Sequence, residues 1–438
     1  MASKQDRKDR GKERKGRGDD SGNMIQRLFS SGDELTSQEH LLILASSFLL
    51  GMSIQRWIRD RLGDAAMSLR TPPAKAALCV LPRPHAPTLS DERSQTPTRS
   101  LTRSLARSRP AFFRSFARWA AAMRAVESLE NDSALVVDDM AERMSGRRAF
   151  RRCLSNATPS NSERMYQVSE LVLGTWWFDR SLMTLLTSNS LHSARGWLSA
   201  RLRNSARGLA GPPRQVVVVG SGFDTRPWRM ALPPMTKWLE IDVPEVASAK
   251  KRRLRAVNAE LRMNDFTGMY PLRTIQWDLH AADVTNERLN FGKVLDMYGF
   301  DVTAPIVWVV ENVLMYLSPE HVNQLLSRMS AVSSAGSIVI ANSTVNRNAE
   351  LVGEGKHGTY PSDVVSHWVS SLPESPADLE VVLSGANWDL MESCTQHEIA
   401  EAVCDGRDVA SMCAGGVGQP VGPGEHRPAD VYFFARKF

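Results

Sequence analysis

The sequence has few of the residues that build metal centres and disulfide frameworks. Its 438 residues include five cysteines, scattered without a CxxC pair, and nine histidines, which show no HxxxH or related metal spacing. Structural zinc sites need closely spaced cysteine or histidine pairs, so we expect no metal. The scattered cysteines also favour a reducing compartment over a disulfide framework.

The chain has little excess charge outside its N-terminal part. Lysine and arginine number 54 against 48 acidic residues, which gives a formal net charge of +6 and a pI near 9.1. No basic stripe interleaved with aromatic residues follows in the C-terminal part, so we predict no nucleic-acid binding. The one basic cluster there, Lys250 to Arg255 (KKRRLR), is interpreted as a solvated helix face, with a phosphate site as the alternative.

No apolar run is long enough for an ordinary membrane-spanning helix. The longest, Leu41 to Ile54, falls short of the roughly 20 residues that a bilayer needs. It lies in a predicted apolar helix over 36–62, which opens with a capping box and packs on the domain or on a partner. Basic flanks leave a shallow membrane anchor through 41–58 as the alternative. Residues 1–35 are predicted to form a disordered basic tail.

Residues 63–114 are rich in Pro, Ser, Thr and Arg and poor in acids. A segment of this length without hydrophobic periodicity is predicted to be a linker. Its composition is similar to that of an organelle transit peptide, but such peptides begin at the N-terminus, so a mis-started gene model is the alternative. Localisation therefore stays open between the cytoplasm and an organelle.

The most informative feature of the remaining domain, 115–438, is a strand followed by a glycine-rich loop. Val216 to Val219 are all β-branched, as in a central parallel strand that is buried on both faces. Gly220 and Gly222 let the backbone turn sharply beside a cofactor. The third glycine of the dinucleotide fingerprint is missing, and Asp224 stands in this loop instead. We count Asp224 with the two glycines as cofactor-binding, and a plain tight turn is the alternative.

Acidic residues follow the next strands at the same predicted edge. The strand Lys237 to Val243 carries Glu240 and Asp242, about where doubly wound folds place the acid that binds ribose hydroxyls. Asp242 lies nearer the carboxyl end of the strand, so we assign it to the ribose and Glu240 to a structural partner. A solvated acid is the alternative for Asp242.

Two more predicted strands reach the same edge of the sheet. Arg273 to Leu279 ends in Asp278 and Leu279, and Pro305 to Val310 runs directly into Glu311. The carboxyl ends of successive parallel strands meet in one crevice, where open α/β sheets bind their ligands. The predicted fold is therefore α/β, with a Rossmann-like doubly wound sheet.

Four motifs in order carry a family resemblance: GSGFDTRPWR, LEIDVPEV, DL and ENVLMYLSPE. Together they resemble the leucine carboxyl methyltransferase superfamily, particularly its branch of uncharacterised S-adenosyl-L-methionine-dependent methyltransferases. The resemblance covers roughly Ala117 to the C-terminus and implies a methyltransferase sheet with a helical N-terminal cap. It also implies cofactor contacts at Gly220 (against the cofactor), Asp242 (ribose), Asp278 and Leu279 (adenine) and Glu311 (beside the methionine part).

One position departs from the family pattern. The segment Thr175 to Asp179 (TWWFD) resembles one that normally follows an arginine, which is expected to clamp the carboxylate of the cofactor. This chain has Gly174 at that place, and Arg180 substitutes only if its side chain folds back. The departure keeps open a methyltransferase-fold scaffold without activity.

The acceptor is predicted to offer a carboxylate or a hydroxyl, on a small molecule or a protein. A carboxylate is ionised near pH 7 and needs no general base, whereas a hydroxyl needs one. His280 is the candidate base, and Tyr316 either binds the acceptor or packs in the core. Residues 342–376 are predicted to form a cap on the acceptor side. Methylation of a protein C-terminal leucine and a nicotinamide-dependent oxidoreductase are the alternative activities.

Overall fold

The computed structural model describes residues 98–187, 212–263, 267–345, 376–405, 407–413 and 429–437. The chain divides into two units, 1–93 and 94–438, and the described residues all lie in the second. The predicted tail, the predicted helix over 36–62 and most of the predicted cap over 342–376 lie outside the described residues.

Helices and strands alternate through most of this unit. The helices are α1 (Thr98–Glu127), α2 (Ala141–Ser145), α3 (Arg147–Asn156), α4 (Glu170–Leu186), α5 (Arg226–Arg229), α6 (Pro244–Ala256), α7 (Phe291–Met297), α8 (Pro319–Ala331), α9 (Pro376–Gly385), α10 (Gln396–Cys404) and α11 (Val409–Met412), with short 3₁₀ helices at Ser128–Ser133 and Leu314–Tyr316. The strands are β1 (Gln215–Val219), β2 (Lys237–Asp242), β3 (Gln276–Ala281), β4 (Ile306–Val310), β5 (Ile338–Val345), β6 (Asp389–Thr395) and β7 (Ala429–Arg436).

The seven strands form one sheet in the order β3-β2-β1-β4-β5-β7-β6. The first five of these are parallel, and β7 runs antiparallel to both β5 and β6. Alternate residues of β1 supply opposite faces: Val216 and Val218 pack into one apolar cluster, and Val217 and Val219 pack into the other. This arrangement confirms the predicted doubly wound α/β fold, because a central parallel strand must bury both of its faces.

Helix α1 begins at Thr98, inside the predicted linker over 63–114. The structure places residues 98–114 in this helix, so the helical part begins before the predicted boundary at residue 115. Phe112 and Ala117 of this helix are both buried. Helix α1 packs against α2, α3 and α6, which makes it part of the helical cap of the domain.

Strand β3 is shifted towards its carboxyl end relative to the predicted strand over 273–279. Arg273 belongs to the preceding loop, since its backbone N–H donates to the carbonyl oxygen of Pro227 and its Nε donates to that of Trp228. The pairing of β2 with β3 then runs to Ala281, which lies opposite Asp242. Asp278 and Leu279 are therefore inside the strand, and the loop at the ligand-binding edge begins at Ala282.

The described residues contain neither a membrane-spanning helix nor a metal-binding cluster. No helix among them combines the length and the apolar character needed to cross a bilayer. No group of three or more His, Cys, Asp and Glu side chains in the same residues is arranged to hold a metal ion.

Candidate active site

A cavity of about 470 Å³ lies at the carboxyl ends of the parallel strands. We call it the first cavity. Six of the residues singled out in the sequence line it: Gly220, Gly222, Asp224, Asp242, Glu311 and Tyr316. The crevice that was expected from four strand ends is thus present, and it brings these residues together.

The glycine loop after β1 needs both of its glycines. Gly220 and Gly222 have φ angles of 67° and 51°, which favour glycine over residues that carry a Cβ. A Cβ at Gly220 would also overlap the Cγ2 of Val313, in the loop after β4. The close approach at Gly220 is therefore to another loop of the protein.

Asp242 holds this loop in place and also lines the first cavity. Its Oδ2 accepts a hydrogen bond from the Gly222 backbone N–H at 2.7 Å, and its Oδ1 accepts one from the Val243 N–H at 2.7 Å. Burial raises the pKa of Asp242 to about 6, although both backbone hydrogen bonds oppose the shift. Each carboxylate oxygen keeps a lone pair with which it can accept from a ligand hydroxyl.

Glu240 is a structural residue, as the sequence predicts. Its carboxylate is fully buried, pairs with Lys250, and accepts from the indole N–H groups of Trp238 at 3.2 Å and Trp277 at 3.0 Å. The interpretation of Lys250 to Arg255 as a solvated face is wrong at Lys250, which is completely buried. A buried carboxylate and a buried ammonium need each other, because either alone would carry a large desolvation cost.

Arg226 joins three elements at the floor of the first cavity. Its Nε contacts Asp179 Oδ1 at 2.6 Å, on α4. Its Nη1 contacts Asp224 Oδ2 at 2.9 Å and Glu311 Oε2 at 2.7 Å. Its Nη2 is buried and has no hydrogen-bond partner. Arg226 lines the first cavity, so a ligand oxygen that reached this donor would supply its missing partner.

A second arginine and a third extend the network behind Arg226. Arg229 binds both oxygens of Asp179 through its Nη atoms, at 2.6 and 2.8 Å. Arg124, from α1, binds Asp138 Oδ2 at 2.9 Å and the carbonyl oxygen of Phe223 at 2.7 Å. Arg229 Nε lies 3.9 Å from Asp138 Oδ2, which connects the two groups. The network thus joins three guanidiniums, of Arg124, Arg226 and Arg229, to four carboxylates, of Asp138, Asp179, Asp224 and Glu311.

The excess of carboxylates leaves this network negative by one charge. Burial opposes ionisation of Asp224, but the positive charges of Arg226, Lys250 and Arg229 outweigh it and lower its pKa to about 2. The pKa of Asp179 is likewise lowered, because Arg229 and Arg226 overcome its burial. Both carboxylates are therefore ionised at neutral pH. Sequence reasoning missed Arg226 as a site residue, although it lies two positions after Asp224 in the GSGFDTR motif.

Gly174 packs against the sheet. A Cβ at this position would lie 2.7 Å from the Tyr432 Oη, so a larger residue would require the Tyr432 side chain to shift. Arg180 does not replace the expected arginine, because its side chain is exposed and lies over the Trp176 ring at 5.7 Å. The cationic groups that do line the first cavity are Arg124, Arg226 and Arg229.

The β3 residues that were assigned to the adenine and to base catalysis do not line the first cavity. Asp278 accepts from the Gln276 side chain at 2.6 Å, and Leu279 is buried in the core. His280 Nδ1 lies 3.4 Å from the Tyr298 Oη, and burial together with Lys251 lowers its pKa. The loop residues 282–285 line the cavity instead, because β3 continues past the predicted end.

Tyr316 belongs to an aromatic wall on one side of the first cavity. Its ring centroid lies 5.5 Å from that of Phe113, 5.7 Å from that of Phe112 and 5.9 Å from that of Phe116. Tyr316, Phe113 and Phe116 all line the cavity. The two sequence interpretations of Tyr316 are therefore compatible, since it packs in a cluster and also faces the cavity.

The strand order and the position of the first cavity define a Rossmann-like methyltransferase fold. Residues 117–330 match the family model described as leucine carboxyl methyltransferase. This segment belongs to that family, which confirms the resemblance seen in the four motifs.

The chain is also similar to curated proteins and to a solved structure. Two curated proteins, from Streptomyces avermitilis and Streptomyces coelicolor, are both named "Putative S-adenosyl-L-methionine-dependent methyltransferase". The first is 32% identical over 189 residues, which are 43% of this chain and 59% of that protein. The second is 30% identical over 200 residues, 45% of this chain and 62% of that protein. The chain thus spans about three fifths of the length of these relatives. A solved structure of a DUF574 family protein from Streptomyces avermitilis is 13% identical, with a TM-score of 0.39, over 61% of this chain and 84% of that chain.

Proposed function

We propose that this protein transfers a methyl group from S-adenosyl-L-methionine to a carboxylate oxygen of its acceptor. The observation that carries the proposal is the lining of the first cavity, which has no histidine among its described residues to serve as a base. Arg226 lines the same cavity, and its buried Nη2 has no hydrogen-bond partner. The family of residues 117–330 supports the same chemistry. A hydroxyl acceptor is the alternative. The lining of the first cavity supports a carboxylate acceptor over a hydroxyl.

The described residues fit the cofactor in charge and in hydrogen bonding. S-adenosyl-L-methionine carries a sulfonium, an ammonium and a carboxylate, so its net charge of about +1 suits the surplus of carboxylates in the network around Arg226. The Arg226 Nη2 would bind the cofactor carboxylate in place of the family's arginine, whose position is occupied by Gly174 in this chain. Asp242 would accept from the ribose hydroxyls, and loop 282–285 would border the adenine.

The protein has two tasks in a direct displacement, namely to hold the acceptor in line with the methyl group and to exclude water. When bound, the cofactor supplies an electrophilic methyl group: the acceptor oxygen forms the new C–O bond while the C–S electron pair returns to sulfur. The aromatic wall of Phe113, Phe116 and Tyr316 is suited to the second task, because it presents apolar surface to the cavity.

The lining of the first cavity favours an acceptor that needs no histidine as its base. No histidine is among the described residues that line it, and His280 lies outside. The Glu311 carboxylate is engaged by Arg226 and by the Thr175 hydroxyl, which is 3.3 Å away. Asp224 is held ionised by its arginine partner and is a poor proton acceptor. A carboxylate acceptor is already ionised and needs none of these groups.

The experiment is an acceptor comparison with the full chain. Phenylacetate and 2-phenylethanol have similar size and differ in the reacting group, so each is incubated with S-adenosyl-L-methionine and product S-adenosyl-L-homocysteine is measured. We expect turnover with the carboxylate and none with the alcohol. Turnover of the alcohol alone would contradict the carboxylate assignment. A peptide that ends in leucine, compared with its C-terminal amide, tests the protein-carboxylate alternative in the same assay.

A further inference from the structure

A second cavity, of about 820 Å³, lies on the other side of α1. Helix α1 faces the first cavity with Phe113, Ala117 and Arg124, and it faces the second with Arg118, Trp119 and other residues. The remaining walls are α3, the chain before α4, and Arg253 of α6. Its volume is in the range of small-molecule sites.

Arginine dominates the polar lining of this second cavity. Five arginines border it: Arg118, Arg147, Arg148, Arg152 and Arg253. Glu127 is the one acidic residue among the described lining residues, and it is already engaged. Its Oε2 contacts Arg164 Nη2 at 2.5 Å, and its Oε1 accepts from the Leu135 N–H at 2.6 Å. The described lining therefore offers these five arginines no free counter-charge.

Two of the arginines are held in place although they repel each other. The Nε of Arg118 is buried and has no hydrogen-bond partner. Burial lowers the pKa of Arg118, and the positive charges of Arg253, Arg114 and Arg252 lower it further. Arg253 lies against Gly146, where a Cβ would be only 2.7 Å from its Nη2, and its Nη1 donates to the Arg143 carbonyl oxygen at 3.3 Å. A glycine with a φ of 84° thus makes room for the guanidinium.

The amino end of α3 adds to the positive potential at the same place. Gly146 is its N-cap and provides no side-chain hydrogen bond, and the first turn of the ten-residue helix has no acidic residue. Arg147 and Arg148 occupy that turn instead. The helix dipole favours an anion here, as do the arginine side chains.

Apolar side chains of α1 form the opposite wall, with Phe112, Trp119 and Met123 among them. We propose that the second cavity binds a small organic phosphate, whose phosphate group lies between Arg118 and Arg253 and whose apolar part packs on this wall. A phosphate dianion can accept from several guanidiniums at once and neutralise more than one of them, which a single carboxylate cannot do as well. The proposal is independent of the reaction in the first cavity.

The test is calorimetric titration of phenyl phosphate into the full chain. Benzoate and phenol serve as comparison ligands, because they share the phenyl ring and lack the phosphate group. We expect saturable binding of phenyl phosphate, at least about tenfold tighter than that of benzoate, and no binding of phenol. Arg118→Gln and Arg253→Gln should each weaken phenyl phosphate about tenfold or more. Arg255→Gln is the matched control, because Arg255 is exposed on the same helix and does not line the cavity.

A stability measurement separates a binding role from a purely structural one. Without a ligand, Arg118→Gln should raise the melting temperature, because it removes a buried donor without a partner and relieves repulsion. Equal affinity for benzoate and phenyl phosphate, or unchanged affinity in both arginine variants, would overturn the proposal. Tighter binding of a phosphoserine peptide than of phenyl phosphate would also overturn it, in favour of a protein segment as the ligand.

Discussion

The two cavities on either side of α1 use arginine in opposite ways. In the first cavity, three guanidiniums are joined to four carboxylates, and two buried nitrogen atoms, Arg226 Nη2 and Arg229 Nε, have no hydrogen-bond partner. In the second, five guanidiniums meet one carboxylate that is already engaged. A paired guanidinium fixes loops relative to one another, whereas an unpaired one costs stability and is available to a ligand. The comparison predicts opposite effects of substitutions that are chemically alike.

The largest expected effect is the contrast between Arg226→Met and Arg118→Met. Arg226→Met leaves the carboxylates of Asp179, Asp224 and Glu311 without their shared partner, and we expect it to lower the free energy of unfolding by about 3–5 kcal/mol. Arg118→Met should leave the free energy of unfolding unchanged or raise it, because no ion pair is lost. Urea denaturation of both variants measures the contrast. A loss of similar size in both would remove the distinction between the two cavities.

The next prediction concerns Asp242 and pH. In the folded protein the pKa of the Asp242 carboxyl is about 6, above its ordinary value of 3.8. Between about pH 4 and pH 6 the unfolded chain releases this proton first, so the contribution of Asp242 to the free energy of unfolding falls as pH rises. Hydroxyl donors favour the ionised form, so affinity for S-adenosyl-L-methionine should increase from pH 5 to pH 7.

Asp242→Asn tests both parts of that prediction. The variant should bind S-adenosyl-L-methionine about 1.5–3 kcal/mol more weakly at pH 7 and should lose the increase between pH 5 and pH 7. Asp430, whose pKa burial also raises to about 6, is present in both proteins and cancels in their difference. An increase with pH that is retained in Asp242→Asn would exclude the ribose role.

A smaller effect is expected at the glycine that replaces the family arginine. Gly174→Ala places a methyl group against the Tyr432 hydroxyl, and we expect a loss of about 1–3 kcal/mol in the free energy of unfolding. Gly385→Ala is the control, because no atom lies within 4 Å of a Cβ at that exposed helical position. Thermal unfolding of the pair measures the difference. Equal stability would show that the packing at Gly174 can accept a side chain.

The smallest effect is expected at His280. Its ring lies outside the first cavity and contacts Tyr298, so His280→Ala should leave kcat within about twofold of wild type and change stability by about 1 kcal/mol or less. The pH profile of kcat with the preferred acceptor checks this. A large fall in kcat together with the loss of one limb of the profile would identify His280 as a base after all.

The sequence predicts the central strands and most of the first cavity well, for a physical reason. Runs such as Val216 to Val219 are unambiguous because both faces of a central strand are apolar, and Gly220, Gly222 and Asp242 follow strand ends at short range. These features depend on residues that are close in the chain. The errors begin where partners are distant.

The misplaced residues show what the sequence cannot supply. The end of β3 depends on its register with β2, so Asp278 and Leu279 fall inside the strand and loop 282–285 reaches the cavity. Lys250 looks like part of a solvated cluster until the buried Glu240 is placed beside it. The unsatisfied Nη2 of Arg226 and the arginine cluster around Arg118 also depend on tertiary structure, since each is determined by which carboxylates come within reach.

The most direct test of the proposed function is calorimetric titration of the full chain with S-adenosyl-L-methionine and with its decarboxylated analogue. The two ligands share the adenosine, the sulfonium and the amine, and differ only in the group assigned to the Arg226 Nη2. We predict saturable binding of S-adenosyl-L-methionine and at least about tenfold weaker binding of the analogue. Equal affinities would contradict the role of Arg226, and no binding of either ligand would contradict the methyltransferase function itself.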